Sequence, residues 1–310
     1  MSTSGIAVRG VRRTFGNVVA VDSIDLDAPA GQVTALIGPN GSGKTTLLLV
    51  LASLLVPDAG EVRVAGFDPV TQPYQVRART GWMPDTFGTF DTLTCREVLA
   101  TTADAYHVPR IVAASRIEDL LELVHLGDLA DRPTQVLSRG QKQRLGLARA
   151  LVHDPDVLLL DEPASGLDPR SRIELRGIVR GLAAKGKAVL VSSHVLAELD
   201  EMADRAVVVA RGRTVAVQDL LETVTMRRAW RVRALDNAAL AAGLAAQGLP
   251  HTVPDGGNAD RDGLDVELGS EAEAAALLAE LVRSGVAVVA FHPAAGVLEQ
   301  AYLALSEDRR

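Results

Sequence analysis

A glycine-rich segment at residues 38–45 offers the first recognisable chemistry, and it reads Gly-Pro-Asn-Gly-Ser-Gly-Lys-Thr. Its spacing fits G-x-x-x-x-G-K-[ST], in which glycines let backbone N–H groups curl around phosphate oxygens. A strand pattern precedes the segment and a helical pattern follows it, so a helix N-terminus adds partial positive charge. Lys44 can reach terminal phosphates, and the Thr45 hydroxyl can ligate Mg²⁺. The spacing indicates a nucleoside triphosphate site, with a ligand-free glycine turn as the alternative.

Two adjacent carboxylates, Asp161 and Glu162, end an apolar segment at 157–160. Such a pair suits one group that orients a metal ion and one that orients a water molecule. Considered alone, the two side chains are equally explained as helix caps or surface groups. Their chemistry therefore depends on what lies near them.

Further polar segments accompany the carboxylates. Residues 137–141 read Leu-Ser-Arg-Gly-Gln and precede a predicted helix, so Ser138 can face an anion together with a helix N-terminus. Residues 164–168 read Ala-Ser-Gly-Leu-Asp, and Ser-Ser-His closes a strand at 192–194. Considered alone, Ser138 is a common N-cap and His194 a structural histidine.

In this order, the segments resemble the nucleotide-binding subunit of an ATP-binding cassette (ABC) transporter over residues 5 to about 220. The resemblance implies ATP hydrolysis with ATP and Mg²⁺ as cofactors. The catalytic residues that it implies are Lys44, Asp161, Glu162 and His194. The Mg²⁺ ligands that it implies are Thr45, Asp85 and, through water, Asp161. The nucleotide-binding positions that it implies are Phe15, Gly38, Asn40, Gly41, Ser42, Gly43, Lys44, Thr45, Thr46, Asp85, Ser138, Arg139, Gly140, Gln141 and Asp168.

The resemblance also assigns roles within one site. Residues 38–46 correspond to the Walker A loop, Asp161 to the Walker B carboxylate, and Glu162 to the general base or water-orienting residue. His194 corresponds to the switch histidine beside the γ-phosphate. Phe15 corresponds to the aromatic residue that stacks on the base, although considered alone it is a core residue.

Two other motifs imply a second cassette. Residues 137–141 correspond to the signature motif, which in this family binds the γ-phosphate of the partner subunit's ATP. Asp168 corresponds to the D-loop, which crosses to that partner. The resemblance therefore implies that a working site needs two cassettes, with a homodimer as the expected form.

Two positions depart from the family pattern. Asp85 stands where the family usually has Gln, and it adds negative charge near the phosphates and donates no amide hydrogen bond. Arg139 stands where the signature motif usually has Gly. Its guanidinium could approach the partner's γ-phosphate as an arginine finger, or turn to solvent or a nearby acid. Both departures resemble a subgroup of ABC-2-type exporters that includes multidrug and antibiotic-resistance cassettes.

These residues need a scaffold, and short apolar strands that alternate with helical patterns predict a parallel α/β sheet. The predicted strands are 33–37, 157–160, 188–191 and 207–210, and a buried helix is predicted at 45–55. Between about residues 73 and 137 the strand signal disappears and the apolar spacing becomes helical, which predicts an inserted helical subdomain. Together with the antiparallel β subdomain that the resemblance implies, residues 1–220 are expected to form a P-loop ABC ATPase cassette.

Residues 221–310 show a different order of elements, and all four lysines of the chain lie before them. The predicted elements are strand 230–235, helix 237–247, strand 249–253, strand 264–268, helix 271–283, strand 286–291 and a last helix 297–305 with Leu298, Tyr302 and Leu305 as its apolar stripe. The β-α-β-β-α-β order is that of ferredoxin-like folds. We expect an α+β accessory domain that is regulatory or stabilises a dimer, with a small-molecule sensor as the alternative.

Composition bounds the remaining possibilities. With 310 residues, 47% apolar and net charge −7, the chain is a globular protein of one or two domains. No apolar run approaches the roughly 20 residues of a spanning helix, and the first residues lack the apolar core of a signal peptide. No basic cluster favours nucleic acid as the ligand. The single Cys95 is expected to be a buried free thiol, and we expect a cytoplasmic protein.

The expected partner is a separately encoded membrane permease, which would hold the chain peripherally on the inner face of the cell membrane. Five of the ten aromatic residues lie between positions 74 and 106, which predicts a permease-docking surface near Asp85 to Tyr106; the alternative is a local core. These aromatic residues are Tyr74, Trp82, Phe87, Phe90 and Tyr106. Two other functions remain open, a soluble ABC-type ATPase that is not coupled to transport and a non-catalytic ATP-binding module.

Overall fold

The computed structural model describes residues 5–86, 88, 91–193, 195, 199–219, 228–254 and 262–294. The chain divides into two compact units, Met1–Asp219 and Leu220–Arg310, and each is described by itself. Within the described ranges, no helix has the length and apolar character that crossing a lipid bilayer demands.

The first unit is built on a large mixed sheet with helices around it. The strands are β1 (Ile6–Phe15), β2 (Val18–Ala28), β3 (Val33–Ile37), β4 (Ala59–Val64), β5 (Thr80–Met83), β6 (Val157–Asp161), β7 (Ala188–Ser193), β8 (Arg205–Ala210) and β9 (Arg213–Asp219). They form one nine-stranded sheet in the order β4-β1-β2-β9-β8-β3-β7-β6-β5. The helices are α1 (Lys44–Leu51), α2 (Pro73–Arg79), α3 (Cys95–Ala105), α4 (Arg110–Leu123), α5 (Arg139–Leu151) and α6 (Pro169–Ala184).

Parallel strands form the part of the sheet that carries the phosphate loop. β5, β6, β7, β3 and β8 are parallel neighbours in that order. Every residue of β3, β6 and β7 is buried, which explains why their sequences are continuous apolar runs. The predicted strands at 33–37, 157–160, 188–191 and 207–210 are confirmed. Because parallel strands end at one edge of the sheet, the segments that follow β3, β6 and β7 meet there.

Antiparallel strands complete the sheet on one side. β1 pairs with both β2 and β4 in antiparallel register. β9 joins this part to the parallel strands, because it pairs with β2 and, antiparallel, with β8. The buried face of these strands packs on Leu47 and Leu48 of α1, so one core holds both parts of the sheet together.

Two predicted boundaries are wrong. Strand structure does not disappear between residues 73 and 137, because β5 lies at the edge of the parallel sheet beside β6. Its sequence, Thr-Gly-Trp-Met, is too short to show a periodic signal. The predicted helix 45–55 ends at Leu51, because Ser53 adopts φ 57° and Leu54 N–H donates to the Leu49 carbonyl at 2.9 Å. This Schellman-type ending stops a helix whatever the apolar pattern beyond it.

The inserted helices are tied to the sheet through an aromatic stack. Tyr106 follows α3 and His153 follows α5, and their rings lie parallel with centroids 3.7 Å apart. His153 Nε2 lies 3.2 Å from the Thr80 carbonyl of β5. Burial lowers the pKa of His153 to about 4, so the folded protein holds a neutral imidazole at neutral pH.

Because the folded protein holds His153 neutral, we expect its stability to fall in acid. The unfolded chain takes up a proton at His153 below about pH 6.5, whereas the folded chain resists until about pH 4. The free energy of unfolding should therefore fall by about 2 kcal/mol across this window, after allowance for partial exposure. In His153→Phe, which keeps a ring on Tyr106, we expect a smaller loss of melting temperature between pH 7 and pH 4.5 than in the wild type. Equal losses in the two proteins would contradict the assignment.

Cys95, the first residue of α3, is a buried free thiol as predicted. The helix begins with a capping box in which Thr94 and Glu97 exchange side-chain and backbone hydrogen bonds. Burial raises the pKa of the Cys95 thiol, which disfavours the thiolate form.

The second unit has two helices packed on one face of a small sheet. Its elements are β10 (Arg228–Ala234), α7 (Asn237–Ala246), β11 (His251–Thr252), β12 (Leu264–Leu268), α8 (Glu271–Arg283) and β13 (Val288–Pro293). The four strands pair antiparallel in the order β11-β12-β10-β13. β11 is shorter than the predicted strand 249–253, and β13 begins two residues after the predicted position 286. The predicted helix 297–305, with Leu298, Tyr302 and Leu305, lies outside the described residues.

Among the described residues of this small unit, the core is aliphatic apart from one aromatic pair. Trp230 of β10 and Phe291 of β13 stack with centroids 5.3 Å apart. Arg231 forms a bidentate ion pair with Asp265 of the neighbouring strand, at 2.8 and 2.9 Å. The register that places Trp230 in the core is therefore also held by a cross-strand charge pair.

Candidate functional site

A groove lies at the edge where β3 and β6 end, with a cavity volume of about 350 Å³. That volume is in the range of small-molecule sites. Its lining combines the glycine-rich loop, the carboxylates that follow β6, and one short segment of β2. The lining residues are Val18, Val19, Ala20, Asn40, Gly41, Ser42, Gly43, Lys44, Thr45, Thr46, Asp85, Asp161 and Glu162.

Gly43 fixes how the loop enters α1. It is the residue before the helix and adopts φ 101°, a conformation that glycine tolerates and other residues do not. A Cβ at this position would lie 2.4 Å from the Ala20 carbonyl oxygen of β2. The loop therefore lies directly on β2, and only glycine allows that close approach.

Lys44 is the first residue of α1, and its side chain is buried under the loop. The Nζ atom donates hydrogen bonds to the carbonyls of Gly38 at 2.7 Å and Pro39 at 3.3 Å. Burial lowers the pKa of the ammonium, and the nearby carboxylates of Glu162 and Asp161 oppose that shift. The groove thus contains a cation whose hydrogen-bond acceptors are backbone carbonyls of the loop itself.

Asp161 is buried at the end of β6, and its carboxylate accepts hydrogen bonds from two hydroxyl groups. Thr45 Oγ1 donates to its Oδ2 at 2.9 Å, and Ser192 Oγ of the neighbouring β7 donates to its Oδ1. Sheet pairing places Ser192 there, because Asp161 and Ser192 are register partners in the parallel pair β6–β7. The arrangement brings the first turn of α1 and the end of β6 to one point.

Glu162 has an unusual backbone conformation. Its φ is 49°, in the left-handed region that non-glycine residues rarely occupy. The backbone N–H donates to Ser192 O and to Ser192 Oγ, both at 3.1 Å. Its carbonyl accepts from Ser165 N at 3.0 Å and from Gln143 Nε2 at 3.2 Å. The backbone is therefore held on both sides of the residue whose side chain lines the groove.

Several predicted site residues do not line the groove. Phe15 is half-exposed, and the Arg13 guanidinium lies over its ring, 4.8 Å from the ring centroid. Val18, which pairs with Phe15 across β1 and β2, lines the groove instead. Asp85 does line the groove, from an exposed position after β5. His194 directly follows β7 but lies outside the described residues.

The signature segment and Asp168 also lie apart from the lining. Ser138 is the N-cap of α5 and forms a capping box with Gln141. Arg139 Nη2 donates to Ser165 Oγ at 2.8 Å, and Gly140 follows in the first turn of the helix. Asp168 is the N-cap of α6 and accepts from both the backbone and the hydroxyl of Ser171. The pKa of Asp168 is lowered, chiefly by the bond from the Ser171 hydroxyl.

Sequence reasoning missed residues that touch the site from elsewhere. Val18, Val19 and Ala20 form one wall of the groove, and the side chains of Val18 and Val19 are exposed in the structure although they are apolar. Gln143 is buried on the apolar side of α5. A polar residue on such a face must find a hydrogen-bond partner, which is a signal that the sequence contains.

Comparison with known proteins gives the family. A family model described as ABC transporter matches residues 21–165. The daunorubicin/doxorubicin resistance ATP-binding protein DrrA of Streptomyces peucetius is 34% identical over 308 residues, which cover 98% of this chain and 93% of that protein. The chain belongs to the ABC transporter family. It is an ATP-binding cassette with ATPase activity coupled to transport, as the motifs predict.

Other relatives and solved structures agree. The Nod factor export ATP-binding protein I of Burkholderia lata is 38% identical over 216 residues, which cover 70% of this chain and 71% of that protein. The structure of an ATP-binding subunit of an ABC transporter matches with TM-score 0.66 and 26% identity, over 71% of this chain and 91% of its own. The ADP conformation of an ATP-binding cassette matches with TM-score 0.61 and 25% identity, over 71% and 94%. A cassette of this family therefore binds ATP or ADP.

Proposed function

We propose that this cassette powers the export of a small molecule through a separately encoded permease, from the inner face of the cell membrane. The observation that carries the proposal is the match over 98% of the chain to a protein named for resistance to two drugs. A second relative is named for export of another molecule. The first name states resistance and the second states export, and both are names of ATP-binding proteins.

Co-purification tests the permease. Native membranes are solubilised with the Glu162→Gln protein and ATP, and the proteins that accompany it are identified by mass spectrometry. A polytopic membrane protein in comparable amount supports the proposal. Recovery only in the soluble fraction, or with ribosomes or DNA, would support a cassette that is not coupled to transport.

Within the groove, we assign phosphate binding to the loop and to Lys44. The oxygen ligands that Mg²⁺ prefers are present, since Thr45 and Asp161 already touch and Asp85 lies on the same groove. A bound Mg²⁺ would neutralise charge on the phosphates. Glu162 would orient the attacking water and accept its proton, and we assign to His194 the role beside the γ-phosphate that the resemblance implies.

We further propose a homodimer with two composite sites. Ser138, Arg139, Gly140, Gln141 and Asp168 are absent from the lining of the groove in their own chain. The N-terminus of α5 with the Ser138 hydroxyl is suited to an anion. A second cassette would bring these residues to the nucleotide, and the open and closed dimers would form the two states that a permease can detect.

The Asp85→Gln variant should bind ATP as tightly as the wild type but show an altered rate of hydrolysis. A carboxylate on the groove adds charge near the phosphates, and an amide restores a donor that the family usually has. ATP turnover is measured with and without the permease, with Glu61→Gln, an exposed carboxylate of β4 outside the proposed docking surface, as the control. Identical turnover in Asp85→Gln and wild type under both conditions would show that Asp85 does not influence the rate of ATP hydrolysis or its coupling to the permease.

The docking surface for the permease is proposed between Asp85 and Tyr106. Tyr74 is 78% exposed and Tyr106 is 37% exposed, so both can contact a partner. Trp82 instead packs against the core of the nine-stranded sheet, which is neither the docking surface nor a local core of the inserted helices. Phe87 and Phe90 lie outside the described residues.

We propose that the second unit is a ferredoxin-like accessory domain that stabilises the dimer. The strand order β11-β12-β10-β13 supports this topology, and each helix connects two strands that have one other strand between them in the sheet. Deletion of residues 222–310 should weaken ATP-dependent dimerisation, measured by sedimentation, while ATP still binds. Undiminished dimerisation of the shortened chain would favour a sensor role.

A further inference from the structure

We propose that helix α5 holds the turn that contains Glu162 at two points, so that Arg139 and Gln143 are positioning residues for Glu162. The proposal rests on the proposed function, in which Glu162 activates water. It assigns a role to Gln143, and it changes the role of Arg139 from contact with a partner's phosphate to support within its own chain.

The first point of support is the Glu162 carbonyl. This oxygen accepts from Ser165 N at 3.0 Å, which closes the turn 162–165, and from Gln143 Nε2 at 3.2 Å. Gln143 is 5% exposed, so its amide is fixed by packing. Glu162 has φ 49°, in a backbone region that residues other than glycine rarely occupy. Such a conformation persists only where its surroundings hold it, and Gln143 is one of the groups that do so.

The second point of support is the other end of the same turn. Arg139 precedes Gln143 by one helical turn, which places both side chains on one face of α5. Arg139 Nη2 donates to Ser165 Oγ at 2.8 Å. The two side chains of α5 therefore contact the first and last residues of the turn.

Gly166 makes room for this contact. It has φ 75°, and a Cβ built on it would lie 2.7 Å from Arg139 Cδ. Any other residue at 166 would displace the arginine side chain. Arg139, which replaces the usual glycine of the signature motif, therefore fits against the facing loop of the same chain because residue 166 is a glycine.

The arrangement links two functions of one helix. The N-terminus of α5 is the end that, in the proposed dimer, faces the partner's nucleotide. Gln143 on the same helix contacts Glu162 of its own site. A shift of α5 when the partner's nucleotide binds would therefore move the support of Glu162, which gives the two sites a direct mechanical connection.

The test compares Arg139→Ala, Ser165→Ala and the double variant by the kcat and KM of ATP hydrolysis. We expect kcat to fall by about 3- to 10-fold in each single variant with little change in KM. The double variant should be no slower than the slower single variant, because both changes break one contact. Arg139→Lys should recover part of kcat, and Arg170→Ala, which removes an exposed arginine of α6, should match the wild type.

A second variant tests the buried support. Gln143→Met keeps the side-chain volume and removes the donor, and it should lower kcat by about 10-fold with unchanged KM. If Arg139→Ala is far slower than Ser165→Ala and their effects multiply, the arginine contacts a nucleotide and the proposal is wrong. Wild-type kcat in all these variants would also overturn it. Glu162→Gln is assayed in parallel, and wild-type turnover in that variant would instead show that the proposed function has failed.

Discussion

The Glu162→Gln variant is expected to lose at least about 100-fold in ATP turnover while it still binds ATP. The change keeps the shape of the side chain and removes its ability to accept a proton. Glu162 has its backbone held at Ser192 and Gln143, so an amide should occupy the same place in the groove. Binding should survive because the loop and Lys44, which contact phosphate in our proposal, are unchanged.

The same variant should accumulate as an ATP-bound dimer, because hydrolysis is the step that would reopen the two cassettes. Size-exclusion chromatography with ATP and Mg²⁺ gives the dimer fraction, and phosphate release gives the turnover. Glu61→Gln, at an exposed position of β4, is the matched control. Turnover near that of the wild type would assign water activation to another group, and an unchanged dimer fraction would favour a non-catalytic ATP-binding module.

Sequence reasoning reached the parts of the site that are continuous in the chain. The glycine-rich loop, Lys44 and Thr45 follow one buried strand, and Asp161 and Glu162 end another, so local spacing and strand pattern were sufficient. That both strands end at one edge follows from their being parallel. Glycine at 43 is required by backbone geometry, and this is also a local property.

Contacts between distant segments could not be predicted in the same way. The wall formed by Val18, Val19 and Ala20 depends on where β2 passes the loop, which no local pattern encodes. The partnership of Gln143 with Glu162 depends on how α5 packs on the end of β6. β5 was missed because four residues with a glycine among them give no periodicity, although the neighbouring strand determines their conformation.

The end of α1 shows a different kind of failure. The apolar pattern continues past Leu51, and an interpretation based on burial alone extends the helix through Leu55. The helix ends because Ser53 takes a left-handed conformation and Leu54 closes the turn back to Leu49. Serine is not the usual residue at such an ending, so the stop signal was absent from the sequence.

Lys44→Met should abolish useful ATP binding, with a loss of roughly 100-fold in affinity. Methionine keeps the length of the apolar stem and removes the ammonium group. The loss of one charged partner from a buried contact typically costs about 2 to 5 kcal/mol, and about 1.4 kcal/mol corresponds to a tenfold change in affinity. The ammonium donates hydrogen bonds to the Gly38 and Pro39 carbonyls, so its loss also loosens the loop that must receive the phosphates.

Calorimetric titration with ATP measures this effect, and Lys185→Met, at the exposed end of α6, is the control. Thermal melting shows whether the variant remains folded. If Lys44→Met binds ATP within threefold of the control while Glu162→Gln still fails to turn over, phosphate binding does not depend on Lys44 and must be carried by the backbone of the loop. If binding is lost in Lys44→Met and retained in Glu162→Gln, the two sides of the groove have separate tasks, because the cation on α1 holds the phosphates and the carboxylate after β6 acts on water.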